Sequence, residues 1–470
     1  MKILIVGAGR IGISVAESLV SEANDITIVD RNPEHIAYLQ SRFDLRGIVG
    51  EASSPQVLRD AGADDTDMLI AVTSNDETNL VVSLLAARLF NIPTRIARVR
   101  NSELRNFPRI LGEEGFEATA VIWPEQAVTS YLVKLIDFPE ANQVLEFGEG
   151  LAALIAVRAK AGSPLVGRRV ADLETHLPHV EARIISIFRR NRRLDVDKNT
   201  VIEAGDEVIC LCDARNARLV LSEIRRHEPP VRNILLAGNA SMCLALARRL
   251  TSSEDADRRT ELSIRILEKD RSKVELLAGQ LRSSVIVIEG DYTDEEVLSD
   301  AGVETCDLFI ALSEDDGDNV LSAMLAKKLG AQRTIALVNR KVYGDLMQGS
   351  QIDITLSPSQ AALGELIKHV RRGDVTAAYS LRHGVAEALE IVAHGNRRSS
   401  RVVGRPIRDL ALPEGANIGA VIRGEGEDAV VLMGKPDVVI EAEDHVVVFV
   451  ASKRLIPKIE RLFAVDVGFF

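Results

Sequence analysis

A chain of 470 residues is too long for one hydrophobic core, and its length predicts three or four domains. Apolar residues at 46% and charged residues at 27% make an ordinary soluble composition, while a formal charge of −12 argues against nucleic acid or an anionic membrane as the main partner. Aromatics at 4%, with Trp123 the single tryptophan, leave little for a base-stacking surface.

The chain opens on a continuous apolar run, Ile3 to Val6, as expected of a central parallel strand buried on both faces. Gly7-Ala8-Gly9-Arg10-Ile11-Gly12 follows, then SVAESLV with helical spacing of its apolar residues. The three glycines have separate tasks. Gly7 permits the tight turn, Gly9 lets a pyrophosphate approach bare backbone, and Gly12 lets the helix pack close to the sheet. The helix N-terminus then offers free N–H groups to the phosphates. A second strand, ITIV, ends in Asp30, 23 residues past Gly7, close to the roughly 20 expected of an acid that accepts the adenosine-ribose hydroxyls. A carboxylate there repels a 2′-phosphate, which favours NAD(H) or an adenine nucleotide over NADP(H).

Further strands are predicted at 47–49, 67–73 and 95–99, ending in Gly50-Glu51-Ala52, in Thr73-Ser74-Asn75-Asp76, and at Arg98 and Arg100. The carboxyl ends of parallel strands form the ligand crevice, so these residues are expected to surround one nucleotide. Ser74 and Asn75 are also potential caps for the helix DETNLVVSLLAARLF. No signal peptide precedes the first strand, and no apolar stretch nears the roughly 20 residues of a membrane span, so a cytosolic protein is expected.

Beyond a helical connection at 124–143 lies a smaller lobe of short strands around a glycine turn, closed by a helix such as ARLVLSEIRRH. Its FRRNRR stretch is expected to be a solvated hairpin turn, because no aromatics interleave the arginines. Cys210 and Cys212 alternate on one strand face and are expected to be buried thiols. His176 and His179 are separated by a proline, and no sequence neighbour completes a metal site around them.

The chain then repeats itself. DMLIAVTSNDETN at 67–79 returns as DLFIALSEDDGDN at 307–319, and the opening ILIVG returns as ILLAG at 234–238. PLVGRRVADL at 164–173 returns as RVVGRPIRDL at 401–410, and VIEAGDEVICL at 201–211 as VIEAEDHVVVF at 439–449, with Pro229-Pro230 at the seam. The predicted architecture is α/β: two Rossmann-like doubly wound parallel-sheet domains, at 1–123 and 232–348, each followed by a small α+β lobe, at 143–227 and 368–453. The lobes are too small for a dehydrogenase's substrate domain, and neither frames a histidine, lysine or cysteine for hydride transfer. No catalytic residue and no metal ligand is assigned, and sensing of a nucleotide is favoured over its consumption.

The GAGRIG loop, the acid after ITIV, the TSNDETN stretch, the VIEAGDEV lobe and the duplication together resemble the tandem RCK (KTN) regulatory subunits of bacterial Trk potassium uptake systems. The likeness covers essentially the whole chain and extends to FNIPTRIARVR, LMQGSQIDITLSPSQA and HGVAEALEIVAHG. It implies a non-enzymatic homo-oligomer, a tetrameric ring, on the cytoplasmic face of the inner membrane, beneath a membrane-embedded potassium channel subunit. The implied ligands are NAD(H) and ATP or ADP. Carried residue by residue, the site would use Gly7, Ala8, Gly9, Arg10, Ile11, Gly12, Asp30, Glu51, Thr73, Ser74 and Arg98, with Arg100 facing a second phosphate or a neighbouring subunit. The alternatives are a gating module of another cation channel or antiporter, and an NAD-dependent oxidoreductase.

In the second repeat the glycine loop reads Gly238-Asn239-Ala240-Ser241-Met242-Cys243. Only the first glycine survives. Gly238 and Glu268 are the remaining site residues there, with Asp291 and Ser313 at equivalent strand ends, but Leu337 stands where Arg98 does. Weaker NAD(H) binding at the second site is therefore expected.

Overall fold

In a computed structural model the described residues are 1–465, apart from 21–23, 191, 195, 253–261, 341–342, 344–350, 371–374, 382–385 and 425. Parts of two stretches that carry the family resemblance, at 346–350 and 383–385, thus lie outside them. Six parallel strands form the first sheet: β1 (Lys2–Val6), β2 (Asp25–Asp30), β3 (Arg46–Val49), β4 (Met68–Ala71), β5 (Thr94–Arg98) and β6 (Ala120–Ile122). Their order is β3-β2-β1-β4-β5-β6, so the chain reverses direction across the sheet between β1 and β4. A second sheet repeats this order with strands Asn233–Ala237, Ser263–Glu268, Val285–Glu289, Leu308–Ala311, Arg333–Leu337 and Ile354–Leu356. Its last strand lies beyond the boundary expected at 348. It is drawn into the sheet by parallel pairing of Ile335 with Ile354, which extends the second nucleotide fold.

Equivalent helices of the two folds are closed by different chemistry. Asp76–Phe90 starts where Asn75 accepts the Thr78 N–H at 2.6 Å and ends at Asn91 with φ 53°. Asp316–Leu329 starts under Asp315 and ends at Gly330 with φ 118°, the left-handed stop that glycine adopts without strain. Of the two sequence-predicted caps, Asn75 is the one used.

The connection expected over 124–143 is helical only to Asp137, and it crosses to the other repeat. Leu132 and Leu135 of this helix are fully buried in the second fold's core with Leu236, Leu246 and Ile266. Reciprocally, the helix Pro358–Val370 buries Leu363, Leu366 and Ile367 against Ile11, Val15 and Leu19 of the first fold. Each fully buried leucine contributes about 1.5–3 kcal/mol, so the exchanged helices bind the repeats into one unit. Arg333, itself buried, donates to the carbonyls of Leu135 (3.3 Å) and Ala141 and pins the end of the first crossing helix. Burial pushes its guanidinium down to about 10.

Each lobe is a five-stranded antiparallel sheet. The two sheets pack on each other through Leu154, Ile185 and Leu211 on one side and Ala388, Val447 and Phe449 on the other. A Cβ on Gly419 would stand 2.7 Å from Leu211, which explains a glycine inside that strand. Cys210 and Cys212 are buried free thiols on one strand face, and burial pushes Cys210 up to about 12. On either side of Asn191, which lies outside the described residues, Arg189 and Phe188 pair antiparallel with Arg192 and Arg193, and Arg189 is not simply solvated: it turns back onto the buried Asp206 at 2.9 Å. Arg423 and Asp444 make the same pair in the second lobe at 2.8 Å. His176 has a carboxylate neighbour that its sequence surroundings do not show, Glu223, at 2.7 Å.

Candidate functional site

The glycine loop is built as its residue types require. Gly7 has φ 103°, and a Cβ there would lie 2.9 Å from the Thr73 nitrogen. A Cβ on Gly12 would come within 1.8 Å of the Gly7 carbonyl, so the helix Arg10–Val20 reaches the sheet only because that atom is missing. Gly9 has nothing within 4 Å of its Cβ position; it presents bare backbone to open space. Asp30 holds this loop: its carboxylate accepts the Ala8 N–H at 2.6 Å and the Asn32 N–H at 2.8 Å. A carboxylate has about four acceptor positions, so two of them are left for a ligand hydroxyl.

Two side chains tie the strand ends together: Asn79, which sequence reasoning did not single out, and Asp76, which it expected beside the nucleotide and which stands off the cleft described below. Asn79, fully buried, accepts the Thr73 N–H at 2.9 Å and donates to the Arg98 carbonyl at 2.9 Å. Asp76 accepts the N–H groups of Arg100 and Asn101 at 2.9 and 2.8 Å. The same ties recur at Asn319 and Asp316. Their signal was the asparagine that ends both TSNDETN and SEDDGDN, six residues past a strand-end hydroxyl. Arg98 pairs with Glu125 at 3.2 Å; burial pushes its guanidinium below the usual value, against the pull of Glu125. Its Nε is buried without a partner among the described residues, a donor that an anionic oxygen would satisfy. Arg100 bends onto the Ser74 carbonyl at 2.9 Å, at the rim.

The glycine loop, Asp30 and the strand ends border a cleft of about 570 Å³. Gly7, Gly9, Arg10, Ile11, Asp30, Glu51, Thr73, Ser74, Arg98 and Arg100 all face it, together with His35 and Glu125. Ala8 and Gly12 do not; they are buried behind the loop they shape. The far wall comes from the second repeat, through Asn239, Met242, Glu314 and Asn339, and Arg10 spans the gap to the Glu314 carbonyl at 3.2 Å. Gly238 and Glu268 are off the cleft. Asn239, at φ 37°, and Cys243, whose Sγ sits 2.7 Å from the Gly238 carbonyl, reshape the second loop where the first has glycines. A volume in the usual range for small-molecule sites, bare backbone at Gly9, free acceptor positions on Asp30 and the orphaned Arg98 donor together fit an adenine dinucleotide.

The TrkA-N domain model matches residues 3–124 and 234–358, and the TrkA-C domain model matches residues 154–225 and 397–464. The chain belongs to the TrkA family. The Trk system potassium uptake protein TrkA of Halomonas elongata is 44% identical over the whole of both chains, and that of Vibrio alginolyticus is 43% identical over 98% of each. Among solved structures, the GsuK RCK domain shares the fold, with a TM-score of 0.59 at 16% identity over 98% of this chain and 94% of that one. The GsuK channel aligns with a TM-score of 0.60 at 16% identity, over 98% of this chain and 78% of its own. The duplication expected from the repeats and the RCK-type fold implied by the family resemblance are therefore established.

Proposed function

We propose that this TrkA-family chain is the nucleotide-sensing regulatory subunit of a Trk-type potassium uptake channel, working at the cytoplasmic face of the membrane. The observation that carries this reading is the shared cleft: the ligand face of the first fold closes against the second, so an occupant bears on how the two meet. The relatives' role in potassium uptake and a GsuK channel structure bound to NAD, with a TM-score of 0.58, support it. No helix among the described residues is long and apolar enough to cross a membrane, so a separate membrane subunit would conduct the ion.

NAD(H), or ATP and ADP, would lie with phosphates on Gly7–Gly12 and Arg98 and with the adenosine ribose on Asp30. Bound nicotinamide would be held, not reacted: the only histidine on the described cleft, His35, sits beside Asp30 at the adenosine end. Ring assembly is supported by exposed apolar residues on equivalent helices, Val81 and Leu89 on Asp76–Phe90 and Leu321 and Met324 on Asp316–Leu329, of which Val81 and Leu321 occupy the same position in the repeat. Such faces suit contact with further copies of the chain, and four copies would complete the ring.

A ligand shifts a gate only by binding its two arrangements unequally. Moving a population from 1:99 to 99:1 takes about 5.5 kcal/mol, a total that several sites in a ring would share. The test is calorimetry with NADH, coupled to nicotinamide absorbance in the presence of a metabolite panel. Binding with constant absorbance is the expected result; turnover of NADH would defeat the reading.

A further inference from the structure

The cleft treats the two nucleotide folds unequally. In the first fold it extends past the glycine loop to Asp30, Arg31, Asn32, His35, Gly50, Glu51 and Ala52, the whole adenosine side. In the second fold it reaches Asn239, Met242, Leu312, Ser313, Glu314, Leu337 and Asn339, all on the loop side, and none of the equivalents of the adenosine-side residues. The equivalents of Arg31, Ala52 and Thr78 are Lys269, Tyr292 and Asp318. Where the first fold has a small alanine, the second has Tyr292, 3% exposed and packed among Leu235, Leu267 and Leu298. The Lys269 ammonium stands 4.9 Å from the centre of that ring and donates to Asp318 at 3.1 Å. This bridge joins the strand end that would carry the ribose acid to the helix that would flank the phosphates. Glu268, the ribose acid itself, is 3% exposed and off the cleft.

We infer that Tyr292, Lys269 and Asp318 form an internal plug over the adenosine position of the second fold, so that each chain takes a single nucleotide. The open, loop-side half of the second fold then serves as the wall of the first site. An aromatic ring with a cation on its face replaces an adenine, and a lysine–aspartate pair replaces the hydrogen bonds of a ribose. Ala240 and Cys243 act in the same sense at the pyrophosphate end, since each puts side-chain atoms where the first fold leaves bare backbone. The consequence is a sensor with one reading head and one anvil per chain, built from two copies of the same unit.

This inference rests on the proposed binding of nucleotide to the first fold, and titration of the full-length protein with NADH separates the two. One site per chain is expected, weakened on the order of 100-fold by Asp30→Ala. Two sites in the wild type, one of them surviving Asp30→Ala, would overturn the plug while leaving the first site standing. No binding at all would remove the proposed function and the plug with it. The triple variant Y292A/K269S/A240G is expected to gain a second event at least about tenfold weaker than the first. A variant that melts cooperatively yet gains none would count against the plug. Because Tyr292 is a core residue, wild-type photolabelling with 8-azido-ATP gives an independent answer. Label confined to peptides around Gly50–Ala52 is expected, and label on Gly290–Tyr292 would contradict the inference.

Discussion

The two nucleotide folds have the same strand order and the same asparagine tie between their fourth and fifth strands, yet they differ at most of the points a dinucleotide would touch. The first keeps three glycines, an acid that clamps its loop, and a buried arginine with a free donor. The second replaces two glycines with side chains, has leucine in place of the arginine, and packs a tyrosine over the adenosine position. Scaffold and site thus separate cleanly: what holds the sheet is retained in both copies, and what meets the ligand is retained in one. Duplicating a fold creates a surface that can be turned toward its own twin, and here the exchanged helices keep it there.

The largest expected effects test the scaffold half of this comparison. Leu132→Ala and Leu366→Ala each empty a fully buried position on an exchanged helix and should cost about 2–5 kcal/mol, seen as a lower urea midpoint. Comparable losses on both sides would support equivalent scaffolds; a loss on one side only would break the equivalence. Next comes the acid pair. Asp30→Ala removes the acceptor of the Ala8 N–H and of a ribose, and should weaken NADH on the order of 100-fold, about 2.7 kcal/mol in calorimetry. Glu268→Ala should leave NADH affinity within about twofold.

Smaller effects sharpen the loop comparison. Gly12→Ala forces a Cβ into the Gly7 carbonyl and should cost about 1–3 kcal/mol in thermal unfolding, whereas Cys243→Ala only removes a buried sulfur from beside the Gly238 carbonyl and should cost about 1 kcal/mol. Arg10→Ala should be the mildest. The side chain is exposed, so stability should stay within about 0.5 kcal/mol, while NADH affinity falls about threefold through loss of the span to Glu314.

The strand–glycine–helix unit, its acid and the duplication were legible in the sequence because each is local. A glycine's task is set by its neighbours within a turn, and a buried parallel strand announces itself as an unbroken apolar run. The helix exchange was not legible: an apolar stripe at 124–137 states that a helix is buried, not on which fold. Arg189 looked like one of four solvated arginines because its partner, Asp206, lies 17 residues on, just before the adjoining strand. The cleft's far wall was invisible for the same reason, since Arg10 and Glu314 are 304 positions apart. What escaped was long-range pairing throughout, and with it the fact that the degenerate copy completes the intact one.

The most direct measurement is potassium flux through the reconstituted complex of this chain with its membrane subunit as NADH is titrated. The account predicts a dose-dependent change in the wild type and in Glu268→Ala, and a flat response in an Asp30→Ala complex that still assembles. A response that persists in Asp30→Ala after its binding is lost would contradict it.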